Sequence, residues 1–370
     1  MRIDSIAIYR VAMPLVYPFR TAFGDEAVIE SVLVKMRSGD EVGWGETAPW
    51  GSPFYSPEWA AGVYILLRDW LAPQLCGRDI ETGERLQARL AAFKGNTFAK
   101  AALDLAWWDL EAKLKGKPLW KLIGGVSDMA EVGADFGIME TIEVLLETIE
   151  GAVQSGYKRV KLKFRPGWDL DMVKAVRHAF PTTVFHVDCN SAYRLSDHRI
   201  FEALDEYNLA MIEQPLAYDD LLDHAKLQRN IKTPICLDES ITSPEKARKA
   251  IEIGACRWIN VKLGRTGGIS PALEIIRLAE MAGIPCWVGG MLESAVGAAH
   301  CQALATLPNI KYPSDVFPSC RFFKKDLAEP ELELSGPSQI KAFPGPGIGC
   351  APEPSRLTAQ TIESCQLGTP

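Results

Sequence analysis

The chain has 370 residues with a formal net charge of −7, of which 47% are hydrophobic and 24% are charged. This composition is typical of a soluble globular protein, and the acidic balance argues against a nucleic-acid partner, because phosphate binding needs a basic face. No apolar run reaches the roughly 20 residues that span a bilayer, and the acid within Met1–Ser5 argues against an export signal.

The first 125 residues are predicted to form an α+β module. Strand-like runs cover Ile3–Tyr9, Ser31–Met36 and Glu41–Gly45. Helical stretches follow near residues 56–72, 80–94 and 96–115. The last of these helices carries an apolar stripe and ends at Gly116, before a Lys-Pro pair.

From about residue 131 the chain alternates short β-like runs with helical stretches at a nearly constant step. The runs are Val132–Ile138, Arg159–Phe164, Val184–Asp188, Leu209–Glu213, Ile235–Asp238, Trp258–Lys262 and Pro285–Val288, with a weaker eighth near Ile310–Val316. Eight such βα units predict a parallel sheet that closes into a barrel over residues 126–317. The Pro- and Gly-rich residues 318–370 are expected to run back to the N-terminal module. No glycine-rich phosphate fingerprint follows a strand, which argues against nucleotide binding.

Charged residues fall at the strand ends, where barrel enzymes place their working groups. They are Lys161, Lys163, Asp188, Glu213, Asp238 and Lys262, and from Lys163 onward the steps are 25, 25, 25 and 24 residues. The three acids are therefore expected to converge at the barrel mouth, where like charges need a counter-ion. Oxygen ligands favour Mg²⁺ first and Mn²⁺ next. A single acid at a strand end is more often a helix N-cap, but three acids in phase with the repeat favour a metal site.

The lysines are predicted to flank this site. Alternation along the second barrel strand directs Lys161 and Lys163 into the interior, where a lysine must be paired or functional. Lys262 arrives from the sixth strand, across the barrel. A metal nearby would lower the pKa values of the lysines toward neutrality, as a base requires. Arg265 either adds to this effect or is a solvated loop residue.

Several motifs together point to a known family. The strand-end motifs are Lys161-x-Lys163, Asp188-x-Asn190, Ile212–Pro215, Leu237–Ser240 and Asn260–Lys262, and Gly43–Glu46 and Ala106–Asp109 stand in the N-terminal module. Over nearly the whole chain these resemble the enolase superfamily, muconate-lactonizing subgroup. The segments Gln214–Asp220 and Gly289–Ser294 are similar to the o-succinylbenzoate synthase family, whose members also include N-succinylamino acid racemases.

This resemblance implies a modified (β/α)7β barrel with an α+β capping domain built from both termini. It implies Asp188, Glu213 and Asp238 as Mg²⁺ ligands, Lys163 and Lys262 as the acid/base pair, Lys161 as support for Lys163, and Asn190 and Glu239 beside the ligands. Capping loops around Phe19–Gly24 and Pro49–Tyr55 are expected to close over the substrate. The residues expected to contact substrate are Phe19, Phe23, Tyr55, Gly290, Met291, Glu293 and Ser294.

Two departures separate the chain from sister groups. The mandelate racemase group places a histidine base after the seventh strand, where this chain has Val288-Gly289-Gly290. The five histidines, His178, His186, His198, His224 and His300, are predicted to be surface or core residues. Dipeptide epimerases carry Asp-x-Asp at the eighth strand to hold an ammonium group, whereas Asp315-Val316-Phe317 stands here.

The expected reaction is removal of a proton from the carbon beside a carboxylate, with the metal stabilising the enediolate. Lys163 would take the proton, and Lys262 would either remain a cation, in dehydration, or return a proton on the opposite face, in racemisation. A dipeptide epimerase or cycloisomerase of the same subgroup is an alternative. A non-catalytic scaffold and a metal-free Schiff-base aldolase are further alternatives, against which the converging acids argue.

The expected partner is a small-molecule carboxylate, bound by a homo-oligomer. The nine cysteines include no Cys-x-x-Cys pair, which predicts reduced thiols and a cytoplasmic location.

Overall fold

The computed structural model describes residues 1–20 and 24–368. The strands are β1 (Ser5–Arg20), β2 (Asp25–Ser38), β3 (Glu41–Thr47), β4 (Met129–Glu131), β5 (Ala134–Phe136), β6 (Arg159–Lys163), β7 (Val184–Asp188), β8 (Ile212–Glu213), β9 (Ile235–Leu237), β10 (Trp258–Val261), β11 (Cys286–Val288), β12 (Ala328–Glu329), β13 (Leu334–Gly336), β14 (Gln339–Lys341), β15 (Ala351–Pro352) and β16 (Thr361–Gly368). The α-helices are α1 (Ala60–Leu66), α2 (Gly83–Leu90), α3 (Thr97–Leu114), α4 (Leu119–Leu122), α5 (Ile142–Gln154), α6 (Leu170–Ala179), α7 (His198–Leu204), α8 (Leu221–Asn230), α9 (Pro244–Glu252), α10 (Leu263–Thr266), α11 (Ile269–Met281), α12 (Ala295–Leu304) and α13 (Pro354–Gln360).

The N-terminal strands form an antiparallel sheet in the order β16-β1-β2-β3. Helix α3 lies against β3, and the contact depends on two glycines, since a Cβ at Gly43 or Gly45 would overlap backbone atoms of α3. The backbone N–H of Trp44 donates to Asp109 Oδ2 on that helix at 2.8 Å. Sheet and helix therefore form one packed unit, as the alternating and helical patterns predict.

Strands β5 to β11 form a parallel sheet in sequential order. The eighth segment closes it, because Ile310 bridges Cys286 of β11 and Ser314 bridges Val132 beside β5, both in parallel. The predicted barrel is confirmed, but the eighth strand is reduced to these bridges. Most other predicted runs are one to four residues longer than the strands.

The C-terminal tail returns to the N-terminal region, where β16 pairs antiparallel with β1. It also pairs with the segment before the barrel, since β14 lies beside β4. The tail thus pairs on both sides of residue 125, and the predicted domain boundaries at residues 125 and 318 stay a prediction. No helix within the described residues has the length and apolar character to cross a bilayer.

Candidate active site

The barrel mouth holds the strand-end acids in one buried cluster. Asp188 ends β7, Glu213 ends β8, and Asp238 directly follows β9. Their exposed fractions are 1%, 0% and 0%. The parallel register places Lys163, Asp188 and Glu213 side by side in one layer. The structure therefore brings together the residues that the 25-residue spacing predicted to meet.

Each of these acids lies beside a lysine. Lys161 Nζ is 3.0 Å from Asp188 Oδ2 and 2.9 Å from Glu213 Oε2. Lys163 Nζ is 2.8 Å from the same Asp188 oxygen. On the opposite wall, Lys262 Nζ is 3.0 Å from Asp238 Oδ2. The like charges of the acids are thus compensated by ammonium groups within hydrogen-bond distance.

The helix-cap interpretation of the three acids is wrong. Helix α8 is capped by Asp220, which accepts from Asp223 N at 2.9 Å. Helix α9 is capped by Ser243, which accepts from Lys246 N at 3.2 Å. The turn after β7 starts its helical segment only at Leu195, well beyond Asp188. The strand-end acids are left facing the barrel mouth.

The carboxylates govern the pKa values of two lysines. Burial disfavours the Lys161 ammonium, but Asp188, Glu213 and Asp315 outweigh it and raise its pKa well above the usual value. Burial also disfavours the Lys262 ammonium group, but Tyr55 and nearby carboxylates outweigh this effect and raise the pKa of Lys262. The lowered lysine pKa values that the sequence suggested depend on a bound cation, and they stay a prediction.

Arg265 is buried, so its interpretation as a solvated loop residue is wrong. Its exposed fraction is 2%. The guanidinium pairs with Asp238, donates to the Tyr55 hydroxyl at 3.0 Å, and donates to the backbone oxygen of Ile241 at 2.9 Å. Arg265 thereby links Asp238 to the Tyr55 loop of the N-terminal region.

The oxygen atoms around the cluster fit a hard divalent cation. Among the described residues no three His, Cys, Asp or Glu side chains are arranged to hold an ion, each acid being paired with a cation instead. Asn190 Oδ1 and Glu239 Oε2 are nevertheless buried without a hydrogen-bond partner. Burial, with repulsion from Asp188, raises the pKa of Glu239 to about 7. Unpaired buried oxygens beside three acids are the donor chemistry that Mg²⁺ and Mn²⁺ take.

A second buried ion pair below the acids was missed from the sequence. Arg159 is fully buried and donates from Nη2 to Asp315 Oδ1 at 2.7 Å. Asp315 Oδ2 also lies 3.4 Å from Lys161 Nζ. The signal was present in β6, where Arg159, Lys161 and Lys163 alternate on one face.

His186 is a core residue, as predicted, but it contacts the acid cluster. Its Nε2 atom lies 3.4 Å from Glu213 Oε2, and its Nδ1 atom lies 3.1 Å from the Tyr312 hydroxyl. His224 and His300 are also buried, whereas His178 is exposed and His198 is partly exposed. None of these four others lines the cavity above the acids.

A cavity above the acids is enclosed by both regions of the chain. Of the residues predicted to contact substrate, it is lined by Phe19, Tyr55, Gly290 and Met291. Trp50, within the predicted capping loop Pro49–Tyr55, also lines it, and so do Asp135 and Phe317, which were missed. Trp50 Nε1 donates to the backbone oxygen of Met291 at 2.9 Å, which joins the two walls. Phe23 lies outside the described residues.

Glu293 and Ser294 do not reach this cavity. Glu293 Oε2 accepts from the backbone N–H of Met291 at 2.8 Å. Ser294 caps α12 and is bonded to Glu46, which accepts from Ser294 N at 3.1 Å and from Gly297 N at 2.9 Å. Burial raises the pKa of Glu46 to about 7, although these hydrogen bonds oppose the rise. Both predicted contact residues therefore support the loop instead of the substrate.

Comparisons with known proteins match nearly the whole chain. The family model described as mandelate racemase / muconate lactonizing enzyme, N-terminal domain, matches residues 3–124, and the model described as enolase C-terminal domain-like matches residues 144–356. An N-succinylamino acid racemase from Thermus thermophilus is 47% identical over 349 residues, covering 94% of each chain. An o-succinylbenzoate synthase from Geobacillus kaustophilus is 44% identical over 350 residues, covering 94% of this chain and 93% of the relative. A solved structure of an enolase superfamily member from Listeria innocua has a TM-score of 0.95 at 36% identity and covers 99% of both chains.

Proposed function

This chain belongs to the enolase superfamily, in the family of o-succinylbenzoate synthases and N-succinylamino acid racemases, and from that premise we propose how its barrel mouth works. The enzyme removes a proton from the carbon beside a substrate carboxylate. Its reactions are the dehydration that forms o-succinylbenzoate and the racemisation of N-succinylamino acids. One site serves both, because both begin with the same proton transfer.

The observation that carries the proposal is the placement of Lys163 and Lys262. Both line the same cavity. Lys163 ends β6 and Lys262 follows β10, four strands apart around a barrel of eight segments, so the two ammonium groups face the cavity from opposite walls. A carbon held between them can lose a proton to one side and gain a proton from the other.

The lysines then divide the proton transfers. Lys163 Nζ accepts the α-proton, and in dehydration it returns that proton to the departing hydroxyl group. Lys262 remains an ammonium group during dehydration and stabilises the negative charge that develops opposite Lys163. During racemisation Lys262 Nζ delivers or accepts the proton on its own side. Lys161, held by Asp188 and Glu213, fixes the position of the acids behind Lys163.

We propose Mg²⁺ as the cation and Asp188, Glu213 and Asp238 as its ligands, with Asn190 and Glu239 orienting them. When bound, it would stabilise the extra negative charge that the substrate carboxylate acquires as the proton leaves. The aromatic side chains of Phe19, Trp50 and Tyr55 line the cavity from the N-terminal region and exclude water, which strengthens every charge interaction below them.

The dipeptide epimerase alternative is disfavoured by the state of Asp315. Its carboxylate is already bonded to Arg159 and lies beside Lys161, so it is not free to hold a substrate ammonium group. Phe317, two residues further along, lines the cavity with an apolar ring. The scaffold alternative is disfavoured too. Burying this many charges is energetically unfavourable, and a barrel with a purely structural role would not need them.

The test is a substrate screen with the Mg²⁺-loaded protein. We expect dehydration of 2-succinyl-6-hydroxy-2,4-cyclohexadiene-1-carboxylate, followed by absorbance, and racemisation of N-succinylamino acids, followed by polarimetry. The Lys163→Ala variant is the matched control and should dehydrate nothing. Turnover of dipeptides with neither succinyl compound reacting would show that the epimerase alternative is right.

We also propose a cytoplasmic location and a homo-oligomer. All nine cysteines are free thiols, which suits a reducing compartment. Trp59 and Trp70 in the N-terminal region are 41% and 59% exposed, which suits a contact surface between subunits.

A further inference from the structure

One buried carboxylate in the cavity has an oxygen atom without a hydrogen-bond partner among the described residues. Asp135 is 6% exposed and lies at the centre of β5. Its Oδ1 atom is buried without a hydrogen-bond partner. The other cavity aspartate, Asp315, is bonded to Arg159 and lies beside Lys161. Asp135 thus differs from the other cavity carboxylate in having unused acceptor capacity.

The strand directs this carboxylate toward the place of the substrate. Ala134 and Phe136 face a cleft on the outside of the barrel. Asp135 lies between them and faces inward, where it lines the cavity together with Lys161 and Lys163. The parallel register sets Asp135 beside Lys161, one layer below Lys163.

Lys163 and Lys161 attract this carboxylate electrostatically, but among the described residues no cation forms an ion pair with it. Lys161 lies between Asp188 and Glu213, and Lys163 lies against Asp188. Arg321 approaches from the outer side, but its Nη2 atom donates to the backbone oxygen of Asp135, at 2.8 Å, and not to the carboxylate. Because an unpaired buried acceptor is costly, a donor from a bound molecule would be stabilising here.

We propose that Asp135 accepts a hydrogen bond from a neutral N–H donor on the carbon that reacts, and so selects N-acylamino acids over carboxylates that lack this donor. This inference rests on the proposed function. An amide N–H suits the position better than an ammonium group, because Lys161 and Lys163 would repel a second cation. A site that contains such an acceptor discriminates strongly against a ligand that leaves it unpaired.

The test compares N-succinyl-L-phenylalanine with its N-methyl derivative, which has no N–H. Binding of both to the Mg²⁺-loaded wild type, Asp135→Ala and Asp135→Asn is measured by calorimetry, and racemisation is measured in parallel. A hydrogen bond to a charged acceptor contributes about 1.5–3 kcal/mol, which is roughly a 10- to 100-fold change in affinity. We expect Asp135→Ala to lose that factor for the N–H compound and to change binding of the N-methyl compound by less than about threefold.

Two controls separate this role from a structural one. Asp135→Asn keeps an acceptor oxygen and should recover part of the preference for the N–H compound. Asp69→Ala removes an exposed carboxylate far from the barrel mouth and should leave both affinities unchanged. Equal losses for both compounds in Asp135→Ala, or no loss for either, would overturn the inference. Discriminating binding without any racemisation would instead retain the inference and reject the proposed racemase activity.

Discussion

Replacing Asp238 with asparagine should destabilise the protein in the absence of divalent metal. Asp238 is fully buried, lies 3.0 Å from Lys262 Nζ, pairs with Arg265, and accepts from the Tyr55 hydroxyl at 3.3 Å. Arg265 would keep its backbone acceptors and Tyr55, but Lys262 would lose the only carboxylate within ion-pair distance that the described residues give it. The substitution therefore leaves a buried ammonium group without a counter-charge.

Removing one partner of a buried pair costs about 3–5 kcal/mol. We expect the lower end, about 3 kcal/mol, because the asparagine oxygen can still accept from Lys262. Urea unfolding in EDTA, followed by tryptophan fluorescence, measures this difference. The matched control is Asp104→Asn, since Asp104 is also fully buried but its side chain is bonded to Gln87 and the backbone of Ser270, without an ion pair.

The double variant Asp238→Asn/Lys262→Met gives a second check. It removes the unpaired ammonium group, so it should recover stability relative to Asp238→Asn alone. Mg²⁺ at 100 times its dissociation constant should add about 2.7 kcal/mol to the wild type and much less to either variant. If Asp238→Asn unfolds at the wild-type urea concentration in EDTA, the assigned pairing is refuted.

Three further predictions concern the two lysines, the buried carboxyl group of Glu46 and the packing of the N-terminal sheet. In deuterated water, Lys163→Ala should stop α-proton exchange from one N-succinylamino acid enantiomer and Lys262→Ala from the other; equal loss from both enantiomers in either variant would contradict the opposite-wall placement. The pKa of Glu46 is about 7 in the folded protein and about 4.5 in the unfolded chain. The contribution of this group to the free energy of unfolding is therefore complete below pH 4.5 and is lost as the pH rises through 7. The urea midpoint of the wild type should therefore fall from pH 5 to pH 8 more than that of Glu46→Gln, and parallel falls would speak against this origin. Gly43→Ala should destabilise the protein by about 1–3 kcal/mol or more, because the methyl group would overlap the backbone of α3. Gly151→Ala, at an exposed position of helix α5 with open space around it, should instead stabilise the protein by about 0.5–1 kcal/mol. Thermal unfolding of both alanine variants checks this contrast.

The barrel and the position of the acids could be predicted because both follow from repetition. Strands alternate with helices at a constant step, so residues one step apart reach the same height on neighbouring strands. Asp188 and Glu213 are direct register partners for this reason. The eighth segment was the weakest prediction, and it forms only isolated bridges.

Contacts between distant segments could not be predicted in the same way. Glu46 lies 248 residues before Ser294, and no local pattern shows that the two side chains meet. The same holds for Trp50 and Met291, which are 241 residues apart. Glu293 and Ser294 consequently looked like substrate contacts, although their side chains are bonded to the loop and to the N-terminal region.

The ion pair between Arg159 and Asp315 could have been predicted from the alternation of residues along β6. Arg159 shares a strand face with Lys161 and Lys163, so an inward charge there predicts an inward partner. The inward position of Asp135 could have been predicted in the same way, because it alternates with the apolar residues of the predicted run Val132–Ile138.

The central claim, metal-dependent proton removal at the barrel mouth, is tested most directly by hydrogen exchange at the substrate's α-carbon. The wild-type protein is incubated in deuterated water with each enantiomer of N-succinylphenylalanine, and loss of the α-proton signal is followed by proton NMR. We predict exchange from both enantiomers with Mg²⁺, none in EDTA, and recovery when Mg²⁺ or Mn²⁺ is restored. Exchange that continues at the same rate in the chelated protein, with metal content confirmed as negligible, would contradict the account.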